Sequence, residues 1–431
     1  MEREEWSSTL GFILASIGSA VGIGNIWRFP YVVGANGGGA FLIPFLIAVL
    51  LFGLPLMVLE LAIGRSTGTS VISAFRSIRQ RFAAAGLVIV AVVSLILGYY
   101  LVITSWVLAY ALFFVFNQPM EFDAFTGSYL PLVFFLLSGL AVYVTVRSGV
   151  RGGIERASRY LIPFLLVILI FLVVISLTEP GAVEGIEFYL SPDFSRLADP
   201  GVWIAAFGQA FFSLSVGMGI LLTFGSYLKR EPLFRNAAII AAADMLIAVL
   251  TGLVIFPLVF TAGLDPAAGV NLAFITLPTA FTEIQYGMVL GALFFLMLFA
   301  AALTSAVSML EVPVAALMDT YGYPRKRATL LVFAAIMLVG LPSALSYTAL
   351  NLEALGMPFL DLADYAFGTI GLIVAGLIVS VVGGWFMSRI RICEEIGGCG
   401  WQQKIYMALI RYGVPSILLI TLVGSFFLGT G

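Results

Sequence analysis

"GSAVGIGN", residues 18–25, places three glycines inside a run that is otherwise apolar enough to form a membrane helix. Glycine in a helix interior costs about 1 kcal/mol relative to alanine, and lipid offers no hydrogen-bond partner to a backbone group that the helix releases. If the helix unwinds at these glycines, its bare peptide groups must therefore meet a partner other than lipid. The rest of the sequence indicates what that partner is.

The composition is that of a membrane protein. Hydrophobic residues make up 61% of the 431 positions and charged residues only 10%, which excludes an ordinary soluble domain, and the mean hydropathy is +1.10. Eleven apolar runs are each near the ~20 residues that a helix needs to cross ~30 Å of hydrocarbon. The alternating strands of a membrane barrel are lacking. We therefore predict an all-α polytopic protein of the lipid bilayer with eleven transmembrane helices.

The charged residues between these runs predict the orientation. Lys and Arg cluster in alternate loops, as at Arg76, Arg79 and Arg81, and acidic residues dominate the other loops. The positive-inside rule then places the N-terminus in the cytoplasm and, with an odd number of helices, the C-terminus outside. Because the clusters report topology and the net charge is only −2, they do not indicate a nucleic-acid partner.

A second glycine-rich break, "FFSLSVGMG" at 211–219, lies in the sixth apolar run. Its "VGMG" aligns with the "VGIG" that stands 195 positions, or five helices, earlier. Because five is odd, the two copies cross the membrane in opposite directions, which is typical of an inverted repeat with a binding site at the midplane. Released carbonyls suit a cation and helix N-termini suit a carboxylate. Two such breaks favour an amino acid zwitterion with Na⁺ over mere close helix packing.

The repeat divides the chain into six predicted parts. They are a cytoplasmic N-terminal segment (1–8), a first five-helix repeat (9–178), an extracellular loop (179–199), a second, inverted five-helix repeat (200–388), a cytoplasmic loop (389–410) and an accessory eleventh helix (411–431). The first and sixth helices are predicted to be unwound in mid-membrane.

Longer motifs surround both breaks. They include "GSAVGIGNIWRFPYVVGANGGGAFLIPF" (18–45), "DPGVWIAAFGQAFFSLSVGMG" (199–219) and "LTSAVSMLE" (303–311), with related stretches along nearly the whole chain. With these motifs the sequence resembles the neurotransmitter:sodium symporter family, and specifically its bacterial Na⁺-coupled amino acid transporters. The resemblance implies a multi-pass transporter in the cell membrane of a prokaryote, with no enzymatic activity and no organic cofactor.

Carried over position by position, the resemblance implies two sodium sites. The first uses the Ala20 carbonyl, Asn25, Ser213, Asp244 and the carboxylate of the substrate. The second uses the carbonyls of Gly18, Val21 and Ala301 and the hydroxyls of Thr304 and Ser305. Hard oxygen ligands of this kind suit an alkali cation, although hydroxyls in a helix also commonly bond back to their own backbone.

The resemblance further implies a substrate that is held at both ends. Its carboxylate meets the Ile23 and Gly24 amides and the Tyr100 hydroxyl. Its ammonium meets the carbonyls of Ala20, Phe212 and Ser213 and the hydroxyl of Ser215. Its side chain is surrounded by Ile96, Phe212, Met218, Ser305, Ser308 and Met309. Because this lining is mostly apolar and has no ionised residue, we expect a neutral hydrophobic L-amino acid.

Gates are expected on both sides of this site. They are Arg28 paired with Asp364 outside, and Arg3 paired with Asp319 inside, near Trp6 and Tyr227. Exposed ion pairs contribute only ~0–1 kcal/mol, which suits contacts that must break in every transport cycle.

Asp244 marks a departure from the chloride-dependent relatives, which have asparagine here and a serine one turn later. This chain has Ala248 at that second position, and Phe45 lacks a hydroxyl that those relatives offer. A carboxylate at Asp244 replaces the negative charge of a bound chloride. We therefore expect transport that does not depend on chloride.

The function predicted from the sequence is secondary active symport, in which inward Na⁺ flow drives amino acid uptake by alternating access. The alternative is a proton-coupled amino acid transporter of the same inverted-repeat fold, which would not need Asn25, Thr304 and Ser305 as Na⁺ ligands. The sequence leaves open the preferred amino acid, the Na⁺ stoichiometry, proton counter-transport and whether two copies form a homodimer.

Overall fold

The computed structural model of the chain describes residues 4–229, 231–265, 272–396 and 400–427. Within these residues, nine helices are long and apolar enough to cross a membrane, or ten if one bent pair counts as a single span. The nine run over Gly39–Thr67, Gln80–Val115, Leu130–Arg147, Val150–Ser176, Leu233–Thr261, Gly287–Tyr321, Arg325–Leu345, Phe359–Phe386 and Gln403–Phe426. The predicted all-α membrane architecture is thus confirmed.

The predicted count of eleven spans is not confirmed. The bent pair is the first segment, in which Thr9–Ala20 and Gly24–Ala35 meet at an angle of 51°. The sixth segment is divided more widely, because residues 214–219 separate the helices Pro200–Ser213 and Ile220–Gly225. Both predicted breaks therefore exist, and they are the reason that a count of continuous helices falls short of eleven. With the interrupted helices numbered as the first and the sixth, the second span is Gly39–Thr67, the eighth is Gly287–Tyr321, the ninth is Arg325–Leu345 and the tenth is Phe359–Phe386.

Shorter elements connect the spans. They are the helices Val71–Ile78, Phe122–Thr126, Ala182–Leu190, Leu277–Glu283 and Arg389–Glu395, and the antiparallel strands Glu353–Ala354 and Met357–Pro358. The region predicted as the loop 179–199 thus contains a helix. The region predicted as the loop 389–410 likewise contains Arg389–Glu395 and Trp401–Ala408, because the last span begins before residue 411.

The two interrupted helices lie at the centre of the bundle. Thr9–Ala20 packs against Val150–Ser176, Leu233–Thr261 and Gly287–Tyr321, and residues 15–26 of this segment are all buried. Ser8 caps the first helix, since its side chain accepts a hydrogen bond from the Gly11 N–H. The unwound peptide groups are therefore shielded from lipid by neighbouring helices, as irregular backbone at membrane depth requires.

Candidate functional site

The first helix is interrupted just after Ala20. The backbone N–H groups of Gly22 and Ile23 leave the helical pattern and donate to Asn25 Oδ1 and to the Tyr100 hydroxyl, each at 3.2 Å. In a continuous helix these N–H groups would bond the carbonyls four residues earlier. The break therefore releases two buried carbonyls inside the protein.

The sixth helix ends at Ser213 and resumes at Ile220. Between them Ser215 (φ +52°), Gly217 (φ +85°) and Gly219 (φ +71°) take left-handed backbone conformations. Glycine adopts these conformations without a Cβ clash, whereas a non-glycine residue is held there by its surroundings at a cost of about 1–3 kcal/mol. Strain of this kind is characteristic of functional sites.

Glu60 supports the break in the sixth helix. It is fully buried in the second span, and its Oε1 accepts a hydrogen bond of 2.6 Å from the Gly217 N–H. A Cβ on Gly217 would lie 3.0 Å from the backbone of Gly376. The unwound segment is thus fixed between the second and tenth spans.

The two breaks meet at the carbonyl of Ser19. This oxygen accepts a hydrogen bond from the Ser215 hydroxyl at 2.8 Å and from the Ser305 hydroxyl at 3.2 Å. One released carbonyl of the first helix therefore joins the sixth helix to the eighth. Sequence reasoning placed both serines at the site but did not identify the oxygen that connects them.

Three side chains predicted for the first sodium site form one buried cluster. The amide nitrogen of Asn25 donates to Ser213 Oγ at 2.9 Å and to Asp244 Oδ1 at 2.7 Å. The Ser213 hydroxyl donates to Asp244 Oδ2 at 2.8 Å. Both carboxylate oxygens of Asp244 thus accept hydrogen bonds, which suits the ionised form. Hard cations prefer oxygen ligands, and the Asp244 carboxylate and the Ser213 hydroxyl supply them here. Asn25 instead turns its amide nitrogen to the cluster, and its Oδ1 accepts from the Gly22 N–H.

Two residues predicted for the second sodium site, Gly18 and Thr304, are in contact. A Cβ on Gly18 would stand 3.0 Å from Thr304 Cβ and 3.2 Å from its hydroxyl oxygen. That hydroxyl lies 3.0 Å from the Ala301 carbonyl, to which it donates. Val21 is buried in the same break. The contact of Gly18 with Thr304 therefore brings the first helix and the eighth together at this point.

The predicted carboxylate-binding groups lie side by side. The Tyr100 hydroxyl contacts the Ile23 N–H and lies 2.8 Å from where a Cβ on Gly22 would stand. Gly24 is covered by the ring of Phe212, whose Cδ1 would be 2.8 Å from a Cβ at that position. Only glycine allows the ring this close approach.

A cavity of about 500 Å³ reaches these groups and is lined by Ile23, Tyr100 and Phe212 among others. The remaining residues predicted to line the side-chain pocket are buried in the core and do not line this cavity. They are Ile96, Met218, Ser305, Ser308 and Met309. The accessible space therefore extends to the break in the first helix and to the ring of Phe212.

Arg28 and Asp364, the predicted outer gate, do not form an ion pair in this conformation. Arg28 and Asp364 line the same cavity, yet no ion pair within 4 Å joins these two described residues. The Arg28 guanidinium instead lies 4.8 Å from the ring centroid of Phe212 and donates from Nε to the Tyr31 hydroxyl at 3.3 Å. The predicted Arg28–Asp364 pair is thus not formed here.

The opposite side of the bundle is packed shut around Trp6. Its indole N–H donates to the Phe224 carbonyl at 3.0 Å, and its ring centroid lies 5.1 Å from Phe224 and 6.2 Å from Tyr227. Trp6 is only 8% exposed. The predicted proximity of Trp6 to Tyr227 therefore holds, and these aromatic groups pack together at this end of the bundle.

Asp319 lies near the end of the span Gly287–Tyr321. Its Oδ2 accepts a hydrogen bond of 2.6 Å from the Ser70 N–H. Arg3, its predicted partner, lies outside the described residues, so their pairing stays a prediction.

Sequence reasoning missed two buried polar groups, one of them at the break in the first helix. Gln209, 1% exposed, donates from Nε2 to the Gly24 carbonyl at 2.8 Å. Glu311, fully buried, accepts from the Tyr227 hydroxyl at 2.6 Å and pairs with Arg325 at 2.7 Å. The available signal was a polar residue within an otherwise apolar span, which usually marks a functional position.

The comparisons with known proteins agree with this architecture. The family model described as "Sodium:neurotransmitter symporter family" matches residues 3–130 and 129–428. A sodium-dependent transporter of Methanocaldococcus jannaschii is 37% identical over 98% of this chain and 90% of its own length. The sodium- and chloride-dependent taurine transporter of Rattus norvegicus is 32% identical over 79% of this chain and 65% of its own length.

A solved structure is similar along the whole chain. It is the crystal structure of MhsT in complex with L-phenylalanine, which shares 40% identity and a TM-score of 0.91 and covers 99% of this chain and 100% of its own. Matches of this extent and identity establish common descent as well as a common fold. The chain therefore belongs to the sodium:neurotransmitter symporter family, as a multi-span membrane transporter and not an enzyme.

Proposed function

We propose that this protein is a Na⁺-driven symporter that takes up a neutral hydrophobic L-amino acid by alternating access. The observation that carries the proposal is the buried cluster of Asn25, Ser213 and Asp244. It lies where the first and sixth helices are both unwound, so that side-chain oxygens and released backbone groups occur together. MhsT, crystallised with L-phenylalanine, supports the choice of substrate class.

The substrate and Na⁺ are expected to bind cooperatively. The N–H of Ile23 and the hydroxyl of Tyr100 lie 3.2 Å apart and form a place for the carboxylate of the amino acid. That carboxylate also serves as a ligand of the first Na⁺. Since each ligand completes the site of the other, each raises the affinity of the other by the same factor.

The second site is proposed to hold another Na⁺ between the first and eighth helices. Gly18 and Thr304 are in contact there, and the Ser305 hydroxyl bonds to the adjacent Ser19 carbonyl. A cation bound to the Gly18, Val21 and Ala301 carbonyls would hold the interrupted helix against the eighth span. Release of that cation would then favour separation of the two helices.

Transport is proposed to be independent of chloride. Asp244 supplies a buried negative charge beside the first cation site. Ala248, one turn after Asp244, has no polar side-chain group. Phe45 packs in an aromatic cluster, and its ring centroid lies 4.9 Å from that of Phe29. These residues leave no hydroxyl to bind an anion at the two positions.

This conformation is proposed to be the outward-facing state of the transporter. The N-terminus is proposed to lie in the cytoplasm. The cavity reaches Phe212 from the side of Arg28 and Asp364, while Trp6 is packed on the other side. Closure would bring Arg28 to Asp364, and inward opening would displace Trp6 from Phe224.

Uptake into proteoliposomes tests this function. A panel of the twenty amino acids is offered under an inward Na⁺ gradient, with choline in place of Na⁺, and with an inward proton gradient in choline. We expect accumulation of hydrophobic amino acids under the Na⁺ gradient alone, unchanged when gluconate replaces chloride. Accumulation driven by protons in choline would instead support the proton-coupled alternative.

A further inference from the structure

Three guanidinium groups form an exposed patch next to the first connecting helix. Arg76 lies in the helix Val71–Ile78, and Arg79 and Arg81 follow within five residues. All three are exposed, and among the described residues no carboxylate lies within 4 Å of any of them. We call Arg76, Arg79 and Arg81 the arginine patch.

Three other cations on the same side of the bundle have carboxylate partners within the protein. Lys229 and Arg151 pair with Glu5 at 2.7 and 3.6 Å, and Arg325 pairs with Glu311 at 2.7 Å. The arginine patch is therefore a local excess of positive charge that the described residues do not balance.

Two of the guanidinium groups rest on aromatic rings. The Arg79 Cζ lies 4.7 Å from the ring centroid of Phe386, and the Arg81 Cζ lies 5.3 Å from that of Phe82. The two rings contact each other, with centroids 4.9 Å apart. Stacking on these rings holds the guanidinium groups in place and leaves their N–H groups directed to other partners.

The patch lies at the ends of two membrane spans. Phe386 ends the span Phe359–Phe386, and Arg81 lies in the first turn of Gln80–Val115. About two turns after Arg81 in the span Gln80–Val115, Leu87 is 57% exposed. This exposure is expected of a side chain that faces lipid. Exposed aromatic residues nearby in the chain, among them Trp385 at 50%, are typical of the membrane–water interface.

We propose that the arginine patch binds the phosphate group of an anionic phospholipid in the leaflet on the side of Trp6. Guanidinium groups bind phosphate oxygens through paired, charge-assisted hydrogen bonds. The position of the patch, directly above lipid-facing apolar residues, favours a lipid headgroup over a dissolved anion. The acyl chains of the lipid would lie against the surface that Leu87 exposes.

The patch is held in a fixed geometry by the start of its helix. Next to Val71, the Ser70 N–H donates to Asp319 at 2.6 Å. Val71 Cγ2 lies 2.7 Å from where a Cβ on Gly219 would stand. Because little freedom is lost when a headgroup binds to a fixed site, this anchoring favours binding.

Native mass spectrometry of the purified full-length protein tests the proposal. The wild-type protein in neutral detergent is mixed with equal amounts of phosphatidylglycerol and phosphatidylcholine. We expect retention of phosphatidylglycerol to exceed that of phosphatidylcholine, and the excess to fall about five-fold for each charge removed in R79Q and R79Q/R81Q. R79K/R81K keeps both charges but loses the stacking and the paired hydrogen bonds of the guanidinium groups, so its preference should lie between those of the wild type and R79Q/R81Q.

R151Q/K229Q is the matched control, since it removes two cations from the same side that are already paired with Glu5. We expect it to retain phosphatidylglycerol like the wild type. Equal retention of the two lipids by the wild type, unchanged retention in R79Q/R81Q, or an equal loss in the control would overturn the proposal. Displacement of the lipid by inorganic phosphate at the same concentration would show a site for dissolved anions and would overturn it as well.

Discussion

The hydroxyl of Ser215 donates a hydrogen bond of 2.8 Å to the carbonyl of Ser19, which directly joins the breaks of the sixth and first helices. This contact accounts for the left-handed conformation of Ser215 (φ +52°), because the bond is made by the same residue that carries the strain. The two unwound segments thus form one polar unit inside an apolar bundle.

Ser215→Ala should weaken Na⁺-dependent substrate binding about five-fold. The substitution removes one hydrogen bond, worth about 1 kcal/mol, and leaves the Ser19 carbonyl with the Ser305 hydroxyl. Isothermal titration calorimetry with the amino acid at saturating Na⁺ measures the change in its dissociation constant. Ser176→Ala is the control, since its buried hydroxyl bonds only to Leu172 of its own helix; an equal loss there would argue against a special role for Ser215.

Asp244→Asn should raise the Na⁺ concentration needed for half-maximal uptake by about a hundred-fold or more. A unit charge 4 Å from a cation contributes about 4 kcal/mol at an effective dielectric constant of 20, and asparagine removes that charge. The double variant D244N/A248S should regain uptake when chloride is present, because its serine can bind the anion that replaces the lost carboxylate. Uptake by D244N at wild-type Na⁺ concentrations would contradict this reading of Asp244.

Tyr100→Phe should reduce substrate affinity about ten- to a hundred-fold. The hydroxyl is expected to donate to the charged carboxylate of the substrate, and such bonds contribute about 1.5–3 kcal/mol. Tyr110→Phe is the matched control on the same helix, because its hydroxyl contacts the Met120 carbonyl at 3.3 Å, away from the breaks. If both variants bind the substrate equally well, Tyr100 is a packing residue only.

Gly24→Ala should lower uptake at least ten-fold without unfolding the protein. The added methyl group would lie 2.8 Å from Phe212 Cδ1 and must displace the ring that covers the site. Gly208→Ala in the neighbouring helix serves as the control, since its Cβ would meet no atom within 4 Å. Comparable uptake by the two alanine variants would show that the position of the Phe212 ring is unimportant.

Local sequence chemistry was sufficient to predict the breaks but not all of their partners. Glycines in two apolar runs predicted the interruptions of the first and sixth helices. The predicted side chains of Asn25, Ser213 and Asp244 are joined by hydrogen bonds. The role of the Ser19 carbonyl could not be predicted, because every residue has a carbonyl and only the fold decides which one is released.

The pairing of Glu311 with Arg325 was missed for a related reason. A lone acid in an apolar span shows that a partner exists, but its identity depends on how the eighth and ninth spans pack. The conformation is likewise a property of the packing, since the motif around Arg28 is the same whether or not it pairs with Asp364. The count of eleven spans depended on treating interrupted helices as single crossings.

We propose that the unwound peptide groups of the two breaks bind an amino acid zwitterion together with Na⁺. It is tested most directly by equilibrium binding of L-phenylalanine and L-leucine to the purified protein in sodium chloride and in choline chloride. We predict saturable binding in Na⁺ that falls by at least ten-fold in choline, with a reciprocal rise in Na⁺ affinity when the amino acid is present. Equal binding in the two salts would show that Na⁺ is not part of the amino acid site.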